Sequence, residues 1–187
     1  MKKHIYVCLF LKSSKFLRLI KSFVFSLFVI GFVSCNKAPE LVKTDLKEIA
    51  KQIMVTAKNC ALITVDSLGV AHVRTMDPFL PEDDFTVWMG TKPMSLKVSQ
   101  IQQNEKVTLY YFDKENASYV TLQGVAKVVN SAQEKKKYWK SEWKNFYENR
   151  DVDYRLIKFA PNTANIISEK HHVLGESVTW ETPIIKF

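Results

Sequence analysis

The sequence predicts a mainly β protein, an antiparallel barrel with peripheral helices, and three observations lead there. Runs rich in β-branched and aromatic residues come as hairpin pairs joined by short loops, rather than alternating with helices. Helical spacing is confined to a few segments that lie between those runs. The longest strand-forming run is interrupted by Gly124, as expected where a sheet bulges or bends to curl on itself.

The elements follow in order. Thr44 or Asp45 can cap a helix in which Leu46, Ile49, Ala50, Ile53, Met54 and Ala57 recur at i, i+3, i+4, i+7 spacing, so its apolar stripe faces a core. Cys60–Asp66 and Val70–Met76 read as a hairpin around Ser67-Leu68-Gly69, and Asp77-Pro78 ends the second strand. Phe79–Asp84, with Pro81 and three acids, reads as a solvated loop before a strand at Phe85–Met89. Pro93 precedes a short helix over Ser95–Asn104, carrying Leu96, Val98 and Ile101. Val107–Asp113 and Ser118–Val129 form a second hairpin through Lys114–Ala117. Ser131 and Glu134 have capping-box spacing and open a predicted helix to about Asn149, with Tyr138, Trp139, Trp143, Phe146 and Tyr147 along one side. Strands at Tyr154–Ala160 and Ala164–Ile167 complete the pattern.

The basicity of the chain is local. Residues 1–34 hold Lys2, Lys3, Lys12, Lys15, Arg18 and Lys21 and no acid, so of the +8 on 187 residues only +2 belongs to residues 35–187. A near-neutral body gives no electrostatic reason to expect nucleic acid. The six bases precede the apolar run Phe23–Val33, which at about 1.5 Å per residue is too short to cross a hydrocarbon core of about 30 Å. Basic flank, short apolar core and small residues before a cleavage point are the layout of a secretory signal. Val33-Ser34-Cys35-Asn36-Lys37 is similar to a bacterial lipobox, with Phe32 where leucine is usual. Residues 1–34 are therefore expected to be a lipoprotein signal peptide, Cys35 the lipidated residue, 35–43 a tether and 44–187 the folded domain. The alternative is an uncleaved anchor with Cys35 an ordinary thiol. Lipidation would hold the protein at the membrane of a bacterial cell envelope. Cys60 is then the one cysteine of the folded body, and no intramolecular disulfide can form.

The body contains Gly69, Gly90, Gly124 and Gly175, too widely spaced for a dinucleotide fingerprint or a phosphate-binding loop. It has no C-x-x-C, H-E-x-x-H or G-x-S-x-G. His171-His172 reads as a solvated pair rather than a metal site, His72 as a barrel-lining side chain, and Lys135-Lys136-Lys137 as the wet face of the aromatic helix. No metal, general base or nucleophile stands out.

What remains is a set of short motifs in order: Arg74-Thr75-Met76 ending one strand, Trp88-Met89-Gly90-Thr91 ending the next, Ser95-Leu96-Lys97 opening the short helix before Gln100-Ile101, Gly124-Val125-Ala126 in the long strand, and Asp153-Tyr154-Arg155-Leu156-Ile157-Lys158 near the end. Together they resemble the FMN-binding split-barrel superfamily of pyridoxamine 5′-phosphate oxidase, and more closely its bacterial general stress protein branch, over residues 44–168. The resemblance implies an antiparallel split barrel, FMN as cofactor and a homodimer. It also implies cofactor contacts at Arg74, Thr75, Met76, Gly90, Thr91, Ser95 and Lys97. A helix start presents unpaired N–H groups, and Ser95 and Lys97 add a hydroxyl and a cation, a suitable seat for a phosphate dianion. The aromatic supply on the predicted helix 131–149 also points to a second subunit.

Three departures matter. Leu96 stands where the oxidase has arginine after the serine, which removes a phosphate contact. Ser177–Phe187 contains no Arg-x-His, the substrate-binding motif of the oxidase, so vitamin B6 oxidation is not expected. Ile167 stands where the stress-protein branch carries a late tryptophan. The expected function is flavin redox or flavin storage on an unidentified small molecule. The alternative is a tethered barrel without cofactor that serves as a binding or structural module.

Overall fold

A computed structural model describes residues 43–187. The expected signal segment, Cys35 and all but the last residue of the tether lie outside them. Helix α1, Lys43–Ala57, buries Leu46, Ile49, Ala50, Ile53 and Met54, the stripe its spacing predicts. Strands β1, Cys60–Val65, and β2, Ala71–Met76, pair antiparallel from Cys60 opposite Met76 to Val65 opposite Ala71. Their turn is built by the Asp66 carboxylate, which accepts from the Leu68 and Val70 N–H groups, and by Gly69 at φ +80°. Asp66 also holds His72 at 2.7 Å, and His72 shares the less exposed face of β2 with Arg74 and Met76, opposite the buried Thr64.

Strand β3 spans Val87–Thr91, two residues later than the sequence predicts, because Phe85 is turned to φ +66° with its ring buried and its N–H on the Glu82 carbonyl. Then come α2, Leu96–Gln103, and the hairpin β4, Lys106–Asp113, and β5, Ser118–Val129, closed by N–H donation from Glu115 and Asn116 to Asp113. Opposite β5 runs a single long strand, β6, Arg155–Ser168, where two strands were expected. Pro161 does not break it, because the register shifts at Gln123/Gly124 and sets Gly124 opposite Pro161. A short β7, Ile184–Lys186, adds to β6 from the tail, which the sequence reading left without structure.

The strands run in the order β2-β1-β4-β5-β6-β3, every pair antiparallel, and β7 joins β6 outside that path. Beyond the end of β2 a bridge between Pro78 and Met89, with the Phe79 N–H on the Trp88 carbonyl, links the outer strands and rolls the sheet into a split barrel. Leu62, Leu109, Leu122, Ile157, Phe159 and Ile166 are fully buried inside it, under α1.

The predicted helix 131–149 is broken. Ser131 caps α3 as expected, accepting from the Glu134 N–H, but α3 covers only Ala132–Lys137; a 3₁₀ turn at Ser141–Asn145 and a short α4 at Arg150–Asp153 follow. The reason is that Tyr138 leaves the helix to stack on Trp88, ring centroids 4.4 Å apart, while its hydroxyl donates to Glu82. A continuous helix would point Tyr138 and Trp139 about 100° apart. Breaking it lets both pack, with Trp143 and Tyr147, around Tyr154 and Leu156 as a second apolar cluster. Lys135 is therefore no solvated charge: it is buried, with Nζ donating to Asn130 Oδ1 and the Asp151 carbonyl.

Candidate functional site

The ends of β2 and β3, the start of α2 and the 3₁₀ turn enclose a cleft of about 540 Å³. Six of the seven expected contact residues line it: Thr75 and Met76 from β2, Gly90 and Thr91 from β3, Ser95 and Lys97 at the helix start. They converge because β2 and β3 both point their C-terminal ends at this opening and the turn after β3 leads directly into α2.

The polar end of the cleft is a connected group. Thr91 Oγ1 lies 2.9 Å from Ser95 Oγ and accepts from Lys97 Nζ at 3.3 Å. Ser95 occupies the N-cap of α2 but makes no side-chain cap bond, so the first-turn N–H groups are not satisfied by that hydroxyl. Burial pushes the Lys97 ammonium below its ordinary pKa, and the charge of Arg74 nearby pushes it further. Among the described residues no carboxylate pairs with Lys97. A partly desolvated cation beside two hydroxyls and free N–H donors is a site that favours an anion.

Arg74 is placed behind this group rather than in the lining. Its guanidinium donates to Thr64 Oγ1 at 2.6 Å and to Gln100 Oε1 at 3.0 Å, both on buried residues, and Thr64 also donates to Gln100 at 2.6 Å. Arg74 therefore ties β1, β2 and α2 together and sets the helix start in place.

The other wall was not legible as such in the sequence. It consists of Trp143, Phe146 and Tyr147, with Asp77 and Lys92 at the margins. The aromatic residues were visible as a stripe, but only a broken helix turns Trp143 onto Gly90. A Cβ on Gly90 would come within 2.6 Å of Trp143 Cζ3 and 2.8 Å of Tyr154 Cε2, so glycine is required for this close approach. Asp77 fixes the wall with both oxygens: Oδ1 accepts from Lys140 Nζ, and Oδ2 accepts from Trp143 Nε1 at 3.2 Å. Asp77 follows β2 directly and carried no signal beyond ending the strand.

The one cysteine among the described residues is no part of the cleft. The Cys60 thiol lies in the core, pushed up to about 12 by burial. The chemistry available from the chain itself is positioning: an anion seat at one end, backbone and small hydroxyls along the strand ends, and an apolar aromatic wall at the other.

Residues 44–180 match the family described as Pyridoxamine 5′-phosphate oxidase like. General stress protein 26 of Bacillus subtilis is 31% identical over 110 residues, which cover 57% of this chain and 76% of that protein. Among solved structures, general stress protein 26 from Bacillus anthracis superposes with a TM-score of 0.61 at 23% identity, over 76% of this chain and 98% of that one. A pyridoxamine 5′-phosphate oxidase-related, FMN binding protein from Nostoc punctiforme superposes with a TM-score of 0.56 at 13% identity, over 81% and 98%.

Proposed function

From its membership of the pyridoxamine 5′-phosphate oxidase-like family, to which the chain belongs, we propose that this protein binds FMN in the cleft between β2, β3 and α2. The observation that carries the reading is Lys97, a half-buried ammonium without a carboxylate partner among the described residues, set beside Thr91, Ser95 and the start of α2. The phosphate would sit there, with Thr75, Met76, Gly90 and Thr91 along the rest of the ligand and Arg74 holding the helix start from behind. The volume, about 540 Å³, is within the range of roughly 300–1,000 Å³ usual for small-molecule sites. When bound, a flavin supplies one- or two-electron transfer; the chain supplies orientation, an electrostatic anchor and a wall against water. We infer flavin redox or flavin storage with a small molecule as substrate, and no vitamin B6 oxidation, since Ser177–Phe187 lacks Arg-x-His.

The same reading includes a homodimer and a lipid anchor. Of the aromatics of residues 138–147, Tyr138, Trp139, Trp143 and Tyr147 pack within the chain, so only the exposed Phe146 is left to support the dimer from this segment. The outer sheet face supports it. Ala61, Ile63 and Val65 of β1, Val73 of β2, and Tyr110 and Phe112 of β4 point outward, with Val73 65% and Phe112 52% exposed. A sheet apolar on both faces calls for a covering partner. The basic flank, the apolar run and Val33-Ser34-Cys35 support export and acylation at the cell envelope. Mass spectrometry of membrane-extracted protein tests this, and an intact Met1 terminus overturns it.

One observation favours the alternative of a cofactor-free barrel: the Trp143 indole stands on Gly90, a strand end assigned to the flavin. Flavin fluorescence titration separates the two. In the first reading Lys97→Ala weakens FMN binding by about ten- to hundredfold, the loss of one charge-assisted bond of ~1.5–3 kcal/mol. Riboflavin, without the phosphate, binds weakly and is indifferent to the substitution. Equal FMN affinity for parent and Lys97→Ala removes the phosphate seat, and no FMN binding by the parent establishes the cofactor-free barrel.

A further inference from the structure

The outer face of the sheet carries both a cluster of large rings and a recess. Tyr110 and Phe112 of β4 and Tyr119 of β5 point outward between buried neighbours. Their rings lie together, the Tyr110 centroid 6.4 Å from that of Phe112 and 5.7 Å from that of Tyr119, and Phe112 is more than half exposed. On the same face, nearer the start of β4, a groove of about 490 Å³ opens between Ile63, Val65, Thr108, Gln123, Val125 and Thr163. Thr108 and Phe112 are four residues apart on one strand, a distance of about 13 Å.

The strand register fixes how rings and recess are related. Phe112 lies opposite Tyr119, which makes one row across the sheet. Tyr110 lies between Ala61 and Thr121 in a second row. Thr108 lies between Ile63 and Gln123, and Gln123 faces Thr163, in a third. The rings hold the first row and the recess the third, each two residues of β4 from the middle one. A two-fold axis lying in the plane of contact along the middle row would turn a second copy face to face with the first and reverse its strand direction. The same rotation carries the first row of each copy onto the third row of the other, so that Phe112 arrives over Thr108 beside Ile63, and Tyr119 over Gln123.

We propose that this groove is the seat of the partner's Phe112: two copies of the chain dock through β1, β4 and β5, each filling the groove of the other. The proposal rests on the homodimer of the preceding subsection and adds to it the register in which the two sheets meet. The face itself specifies a second copy as the occupant, because ring and recess lie on one surface at equal distances from one row. Such a contact is made twice and closes, since both grooves are filled once two copies have met. It removes from water the Phe112 ring together with Ile63, Val65 and Val125, while the Tyr119 hydroxyl meets the Gln123 amide at the edge.

The test is sedimentation equilibrium on residues 43–187, which contain a complete core and correspond to nearly the whole length of independently solved relatives. Phe112→Ala empties both grooves and weakens the dimer about tenfold or more, and Thr108→Phe, which fills each groove from its own chain, weakens it comparably. Made together, the two substitutions exchange ring and recess, and the dimer recovers to within about threefold of the parent. Both positions face outward, and circular dichroism checks that each variant keeps its barrel. Tyr110, on the axis, gives a reading that does not depend on affinity: a short bis-maleimide joins two copies of the Tyr110→Cys protein and does not join two copies of the Tyr119→Cys protein. A dimer indifferent to Phe112→Ala, additive losses in the double variant, or cross-linking of Tyr119→Cys in place of Tyr110→Cys overturns this register and leaves the homodimer standing. A monomeric parent overturns both.

Discussion

Arg74 illustrates how a residue type can be legible while its task is not. A basic residue two positions before the end of β2 is visible in the sequence, and the resemblance assigns it to the cofactor. In the fold its guanidinium spans Thr64 and Gln100, and no spacing rule predicts that a hydroxyl on β1 and an amide on α2 will meet there. One consequence separates the roles. Arg74→Ala removes two charge-assisted hydrogen bonds to buried groups, which keep only the bond between themselves, so urea denaturation should show a loss of about 1–3 kcal/mol in stability, against little change for Lys97→Ala. An unchanged midpoint for Arg74→Ala would mean that the three-way bond is not formed. Trp143 and Asp77 show the converse: the sequence displays both residues, yet they meet across a separation of 66 positions, and hydrophobic periodicity reports only on neighbours along one element.

At the scale of elements, hairpins and the amphipathic α1 were readable because their determinants are local: alternation, a turn glycine, a carboxylate that caps a loop. The broken helix was not, because its cause is tertiary. Residues Ala132–Lys137 stay helical, and beyond them the pull of Trp88 on Tyr138 outweighs the weak helical preference of a Tyr, Trp, Ser and Asn-rich segment. β6 is the reverse case, a proline that should end a strand but is accommodated by a bulge in its own strand, where Asn162 is the extra residue and Gly124 of β5 faces Pro161. A Cβ at Gly124 would lie 2.1 Å from the Ala160 carbonyl oxygen, a backbone atom that cannot step aside. Gly124→Ala should therefore destabilise by about 1–3 kcal/mol or more, seen as a lowered melting temperature, while Gly69→Ala leaves the barrel register intact. In the tail, Glu176 accepts from the Val178 and Thr179 N–H groups, which lowers its carboxyl from 4.5 to about 2. A depressed carboxyl stabilises the folded loop above its unfolded pKa and loses that contribution as pH falls through the folded one. The loop closed by Glu176 should thus open between about pH 4.5 and pH 2, with Val178 and Thr179 amide shifts moving together and the β5 amides unmoved. A midpoint at pH 4.5 would show that these bonds are absent in solution.

For the whole molecule, the proposed dimer rests on the outer face of β1, β2 and β4. Val73→Lys places a charge in the middle of that apolar surface, and sedimentation should then report a monomer while the barrel remains folded by circular dichroism. A parent protein that is monomeric at micromolar concentration would remove the dimer from the reading. Asp77 acts at this same scale, through nothing more than the two ends of one carboxylate. Oδ1 answers to Lys140, which lines a smaller cleft at the C-terminal end of α1, and Oδ2 to Trp143, which lines the larger cleft between β2, β3 and α2. Loss of Lys140 frees the carboxylate that anchors the indole, and loss of the indole N–H frees the carboxylate that holds Lys140. Lys140 and Trp143 are then energetically coupled through it, so Lys140→Ala and Trp143→Phe, made singly and together and followed by urea denaturation, should depart from additivity, and additive losses would show that Asp77 does not join them. Through one short side chain, the wall of the larger cleft and the rim of the smaller one are held as a single unit.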